Sequence, residues 1–290
     1  MRKLRIGFLT RSFSPQTTSY VPLVMQALVE AGAVVDVIHP VPGVIDLSAV
    51  RVEHDLYVLH QISGPAVSLA GALHAQGAAI VNPYPVTVAL YDKIITSRIL
   101  GAAGVRTPAT YVTSRPGQLA PFLEAGPLIV KPYRGTCGHG IRVVRNAAEL
   151  ADVPNGKDPV FAQRYHQPQG RDRKMYVIGG RIFGVKKVFP RRAEAEKHGE
   201  PFTPTPELCE IVRRCGQAFG GIALYGVDII ESDGMPYVVD MSSIPGFKGI
   251  PDAPLLVARY LYAAAERAAR GQPLFEPAAP TDAASTAGVR

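Results

Sequence analysis

Two aspartates twelve residues apart, Asp228 and Asp240, lie in the apolar segments Gly226-Val227-Asp228-Ile229-Ile230 and Tyr237-Val238-Val239-Asp240-Met241-Ser242. The intervening Glu231-Ser232-Asp233-Gly234-Met235-Pro236 has the Gly, Pro and Asp content of a tight turn, so the segments read as a β-hairpin that brings the two carboxylates together. Paired carboxylates repel unless a cation lies between them, and a hard divalent cation with oxygen ligands fits that need. Ser242, two residues beyond Asp240, would add a neutral oxygen on the same strand face.

Upstream, Pro127-Leu128-Ile129-Val130-Lys131-Pro132 is an apolar strand ending at a lysine, and Tyr133-Arg134-Gly135-Thr136-Cys137-Gly138-His139-Gly140 follows before Ile141-Arg142-Val143-Val144. Glycines between two β-branched strands let the backbone approach a ligand, and successive N–H groups in such a turn attract anions. The segment reads as a phosphate-covering hairpin with Gly135, Thr136, Gly138 and Gly140 as its contacts and Lys131 as its cation. No Gly-Lys-Ser/Thr opens a helix here, and a strand rather than a helix follows the glycines. Both the P-loop and the dinucleotide fingerprint are therefore excluded.

The order strand–Lys, glycine hairpin, strand–Asp, strand–Asp-x-Ser resembles the ATP-grasp superfamily over residues 91–262. Within it the chain is similar to the RimK-like branch of ribosomal-protein glutamate ligases, whose ending Glu-x-Asn-x-x-Pro-Gly has the spacing of Asp240-Met241-Ser242-Ser243-Ile244-Pro245-Gly246. Asp stands for the usual Glu and Ser for the usual Asn. The resemblance implies an α/β protein, with a Rossmann-like pre-ATP-grasp domain over residues 1–88 and a two-lobed ATP-grasp domain over residues 89–270. The small lobe would span about residues 108–165 and the large lobe about residues 166–270.

It further implies ATP and Mg²⁺ as cofactors, with Mn²⁺ as the alternative ion, and Asp228, Asp240 and Ser242 as metal ligands. Lys93 in the entry helix and Lys131 would reach phosphate, while the strand 160–165 would read adenine through the main chain at Gln163, Arg164 and Tyr165. Lys174 and Lys187 match positions that touch substrate or the γ-phosphate, and they are the candidate catalytic residues. The implied reaction activates a carboxylate as an acylphosphate and joins it to an amine. Lys174-Met175-Tyr176-Val177-Ile178-Gly179 and the Asp240 ending also resemble the inositol polyphosphate kinase branch of the fold, where the acceptor is an alcohol. Ser242 leaves a non-catalytic ATP sensor as a third class.

The rest of the chain must position these groups. Residues 4–9, 34–38, 56–59 and 79–81 read as strands alternating with helices at 21–31 and 67–75, the signature of a covered parallel sheet whose strand ends bind ligands. Residues 91–100 read as one amphipathic helix, and 207–220 and 255–269 as two more. A hairpin turning at Gly179-Gly180 places Lys174, Tyr176 and Ile178 on one face. The charged segment 190–206 reads as a mobile loop that closes over the acceptor, and residues 271–290 as a disordered tail.

Composition agrees with an enzyme of this size. Of 290 residues 47% are hydrophobic, no segment has the length and apolarity of a membrane span, and the first residues run directly into a short strand, so the expected location is the cytoplasm. Three cysteines without metal-ligand spacing suggest neither a disulfide framework nor a zinc site. The net charge of +7 concentrates in residues 171–192, which lack interleaved stacking aromatics. That argues for an acidic small-molecule or peptide substrate, or an anionic carrier, over nucleic acid; no oligomeric state follows from it.

Overall fold

The computed structural model describes residues 2–40, 44–60, 64–135, 140–154, 156–188, 196 and 198–275. The first four strands, β1 (Arg5–Leu9), β2 (Val34–Ile38), β3 (Leu56–Leu59) and β4 (Ile80–Val81), form a parallel sheet in the order β2-β1-β3-β4. Helix α1 (Val21–Glu30) buries Val21, Val24 and Leu28, the i, i+3, i+7 stripe of its sequence, and α2 (Gly64–Ala75) covers the sheet through Ala66, Leu69, Ala70 and Leu73.

Two short helices follow where the sequence suggested one. Helix α3 (Tyr84–Tyr91) is apolar around its circumference and so gives no periodic signal. It stops at Asp92, whose extended backbone and side chain cap α4 (Lys93–Ala102) by accepting from the N–H groups of Ile94 and Ile95 at 3.0 and 3.3 Å.

Next, β5 (Thr110–Thr113), a 3₁₀ stretch (Pro116–Ala125), β6 (Leu128–Pro132), β7 (Arg142–Val144), α5 (Ala147–Ala151) and β8 (Val160–Arg164) build an antiparallel sheet in the order β5-β8-β6-β7. A third sheet holds β9 (Asp172–Ile178), β10 (Arg181–Lys187), β11 (Glu200–Phe202), β12 (Leu224–Ser232) and β13 (Met235–Ser243) in the order β11-β10-β9-β12-β13. The segment expected to be a charged loop therefore contains strand β11, paired antiparallel to β10; residues 190–195 and 197 of it, and 276–290 of the expected tail, lie outside the described residues.

Helix α6 (Pro206–Ala218) precedes β12, capped by Thr205 and carrying Cys215 into the core, where burial pushes the thiol up to about 12. The last helix, α7 (Ala253–Ala269), lays Val257, Leu261 and Ala264 against Ile6, Phe8, Val24 and Leu28, so the C-terminal helix and the N-terminal sheet share one core. Asn82 ties this core to the third sheet. It is fully buried, and its amide donates to Leu224 O at 2.6 Å and Ser243 Oγ at 2.9 Å while its carbonyl accepts from Leu224 N at 3.2 Å. The start of β12 and the end of β13 are thereby fixed relative to β4. No helix among the described residues is long and apolar enough to cross a membrane.

Candidate functional site

The β12–β13 register places Asp228 directly opposite Asp240 and Gly226 opposite Ser242, with a bulge after Asp228 that re-aims the strand. The next strand pairs Lys174 with Asp228 and Tyr176 with Gly226, so one sheet face carries all of these residues in two rows. A Cβ at Gly226 would lie 3.2 Å from each of Lys174 Cε, Pro245 Cγ and Ser242 Oγ. Only a glycine leaves room there for the lysine stem to cross toward Asp228.

Each carboxylate is held by a lysine from a different element. Lys93 Nζ, at the first position of α4, donates to Asp240 Oδ1 and Oδ2 at 3.0 and 3.2 Å, and Lys174 Nζ donates to Asp228 Oδ2 at 2.8 Å. These ammonium groups supply the neutralisation that the paired carboxylates need in the ligand-free protein. Asp228 Oδ1 is buried without a hydrogen-bond partner, an acceptor turned into the site at a desolvation cost. Among the described residues no three His, Cys, Asp or Glu side chains cluster. The available donor set is two carboxylates and the Ser242 hydroxyl, oxygen ligands that suit Mg²⁺ and that include one unsatisfied lone-pair site.

Across from this face, Lys131, the penultimate residue of β6, is 7% exposed. Among the described residues its Nζ donates to neutral oxygens, Gln163 Oε1 at 3.0 Å and Val239 O at 3.2 Å, and burial lowers its pKa, with Asp240 acting in the opposite sense. Gln163 is oriented in turn by donating to Thr110 Oγ1 at 3.2 Å. Lys93, Gln163, Phe161, Val239 and Asp240 line a small cavity between the two antiparallel sheets.

The glycine hairpin begins beside α4. Lys93 N donates to Tyr133 O at 2.9 Å, and Arg134 Nη2 lies 3.6 Å from Asp92 Oδ2 with its guanidinium over the Tyr133 ring. Gly140 has φ +74°, and a Cβ there would meet Pro132 Cγ at 2.9 Å; one at Gly135 would meet Pro132 Cβ at 3.1 Å. Both glycines thus fold over Pro132 in a space closed to side chains. Thr136 and Gly138 lie outside the described residues.

Arg164 and Tyr165 hold the small lobe together. The Arg164 guanidinium donates to the carbonyls of Gly126 and Phe122, Arg164 N donates to Ala109 O at 2.8 Å, and Tyr165 N to Pro127 O at 2.9 Å. Just beyond, the His166 ring stacks on Tyr237 at 3.9 Å and 23°, and Arg106 lies over the same tyrosine at 5.8 Å. Burial lowers the His166 pKa. Sequence reasoning did not single out His166 or Tyr237, because lone aromatics in a hinge and a strand carry no spacing signal.

Lys187 falls on β10 opposite Asp172 and is 4% exposed; its Nζ donates to Tyr176 Oη at 2.7 Å. Lys174 and Lys187 therefore share the face of the third sheet that carries Asp228 and Asp240. The neighbouring Arg173 turns to the opposite face and pairs with Glu231 at 2.6 Å.

Comparison with known proteins places this geometry. The family model described as RimK-like ATP-grasp domain matches residues 90–258. A coenzyme γ-F420-2:α-L-glutamate ligase from Methanococcus maripaludis is 27% identical over 191 residues, 61% of this chain and 67% of that protein. The RimK domain ATP-grasp protein from Sphaerobacter thermophilus superposes with a TM-score of 0.71 at 18% identity, covering 88% of this chain and 98% of that one. The ATP-grasp ligase PsnB, solved with a minimal precursor, Mg and ADP, gives 0.67 at 18% identity over 91% and 98% of the two chains.

Proposed function

This chain belongs to the RimK-like ATP-grasp family, and we propose that it is a Mg-ATP-dependent ligase that joins a carboxylate to an amine. The carrying observation is the sheet face on which Asp228, Asp240 and Ser242 stand beside Lys174, opposite the buried Lys131 and its partner Gln163. We place the small ATP lobe over about residues 108–165, the catalytic lobe over about residues 166–270, and the preceding domain over residues 1–88.

Asp228, Asp240 and Ser242 would hold Mg²⁺, which when bound screens the charge of the β- and γ-phosphates. Lys131, left with neutral partners in a dry setting, meets phosphate oxygens that restore the charge stabilisation burial removes. Lys93, paired here with Asp240, would donate to phosphate instead. Lys174 and Lys187 hold the acceptor carboxylate in line with the γ-phosphorus and neutralise charge on the transferred group. A carboxylate oxygen bonds to phosphorus as the bond to ADP breaks. The neutral amine then attacks the acyl carbon, the C–O bond breaks to release phosphate, and the nitrogen loses a proton.

The acceptor is an acidic small molecule or a peptide carboxylate, which Lys174 and Lys187 on this face would meet. Incubation with Mg-ATP and pooled carboxylates and amines, followed by assay of ADP, free phosphate and product mass, tests the reading. The ligase yields ADP, free phosphate and a product equal in mass to both substrates less water. A product heavier by one phosphoryl group without free phosphate would make the protein a kinase, and ATP binding with no ADP would make it a sensor.

A further inference from the structure

We propose that Tyr176 is a positioning residue that fixes Lys187, and through its ring Lys174, at the phosphoryl end of the acceptor; this rests on the assignment of those lysines given above. Tyr176 is 2% exposed and stands two residues from Lys174 on the same face of β9. Its phenol oxygen accepts from Lys187 Nζ at 2.7 Å, and the ammonium groups of Lys187 and Lys174 lie 5.2 and 5.8 Å from its ring centroid. One side chain therefore meets both cations, Lys187 by a hydrogen bond to its oxygen and Lys174 by the approach to its ring.

The ring is itself held. It packs on Phe247 at 5.6 Å and 49°, and Phe247 meets Tyr20 edge-on at 5.5 Å and 88°. Phe247 follows Ser242 by five residues, with its backbone at φ +46°, in a turn that opens with Ile244 at φ +41°. Left-handed backbone at a β-branched and an aromatic residue is held only by surrounding packing. This strained turn therefore seats Phe247 behind Tyr176 and fixes the tyrosine relative to Asp228, which Lys174 already grips at 2.8 Å.

The chemical consequence concerns order rather than charge. A lysine side chain has many rotamers to lose, and phosphoryl transfer rewards donors that are aligned before the substrate arrives. The Tyr176 oxygen orients the Lys187 ammonium and the Tyr176 ring backs that of Lys174, so the two cations are presented as a pair on the side of the sheet where the transferred group must pass.

Calorimetric binding of inorganic phosphate to the Mg-ADP complex of the full chain tests this without turnover. Tyr176→Phe keeps the ring and its packing and removes only the oxygen. It should weaken phosphate binding about tenfold, roughly 1.4 kcal/mol, and change Mg-ADP affinity less than twofold. In the Lys187→Met background, the same substitution should add nothing. Equal losses in both backgrounds, or an unchanged phosphate affinity accompanied by a lower unfolding temperature, would show a core tyrosine that does not act through Lys187 and would overturn the proposal. Should Tyr176→Phe fail to fold, Lys187→Arg replaces it: a planar fork seated on one phenol oxygen should weaken phosphate, and full retention of affinity overturns the proposal. Failure of the ligase reading appears elsewhere, as absence of carboxylate-dependent phosphate release, while the binding cycle still reads out.

Discussion

Lys131 and Lys174 stand in opposite environments. Lys174 meets a carboxylate at 2.8 Å, whereas Lys131, more deeply buried, is met by an amide oxygen and a main-chain carbonyl. The small lobe thus keeps a cation short of an anion, and the third sheet keeps two anions covered by cations. A buried cation with neutral partners is costly until an anion arrives, and covered carboxylates must exchange an ammonium for a metal before they can act. On the proposed function, nucleotide phosphate belongs on the Lys131 side and the divalent metal on the Asp228–Asp240 side.

The sharpest way to break this contrast is at Asp240. Asp240→Asn removes one metal-facing charge but retains an oxygen that Lys93 can donate to, so ADP formation should be abolished with little change in unfolding temperature. The Lys93–Asp240 pair is partly exposed, and such pairs contribute at most about 1 kcal/mol. An Asn variant that turns over at near wild-type rate in limiting Mg²⁺ would sink the metal assignment.

Charge reversal at Lys174 probes the boundary between the two regions. Lys174→Glu sets three carboxylates together and removes the acceptor's cation, so it should raise the apparent acceptor requirement far more than that for ATP, which keeps Lys93 and Lys131. Steady-state kinetics with each substrate varied separately would check this. An effect confined to ATP would move Lys174 into the phosphate shell.

On the other side, Lys131→Met should weaken ATP by at least tenfold, about 1.4 kcal/mol. The methionine fits the buried stem, so the fold should hold and the unfolding temperature change little. Unchanged calorimetric ATP affinity would show that Lys131 is a structural donor to Gln163 and Val239 alone.

How legible these regions were differs for a physical reason. The Asp228–Asp240 pairing could be read because period-two strands and a Gly-containing turn fix register locally. The lysines on those carboxylates could not, because Lys93 and Asp240 are joined only by the tertiary fold. Likewise the four polar contacts of Asn82 to β12, β13 and α3 arise from packing that no local pattern encodes. Helix α3 was invisible for lack of a polar face, and Asp92, read as part of a continuous helix, proved to be a cap. Tyr176 showed its face through alternation, but its contact with Lys187 depends on the β9–β10 register.

A third way of handling buried charge lies away from the candidate site, and its expected effect is on stability alone. At the carboxyl ends of β1 and β3, His60 contacts Thr10 Oγ1 at 3.1 Å through Nδ1 and lies against the Phe13 and Tyr20 rings. Burial, aided by Arg11, lowers its pKa to about 4, so this site avoids charge rather than pairing it. The folded value lies below the unfolded one, so the unfolded chain binds the proton first as pH falls. His60 should therefore cost no stability above about pH 7 and progressively destabilise the fold as pH falls from about 6.5 to 4, by about 1.4 kcal/mol for each pH unit crossed and hence by at most roughly 3 kcal/mol. His60→Gln, which does not titrate and can still reach Thr10, should flatten that part of the profile. Denaturant unfolding of both proteins at pH 7.5, 6, 5 and 4 would show the two stabilities converging toward acid; parallel profiles would mean that His60 titrates normally and that the end of the N-terminal sheet tolerates a cation after all.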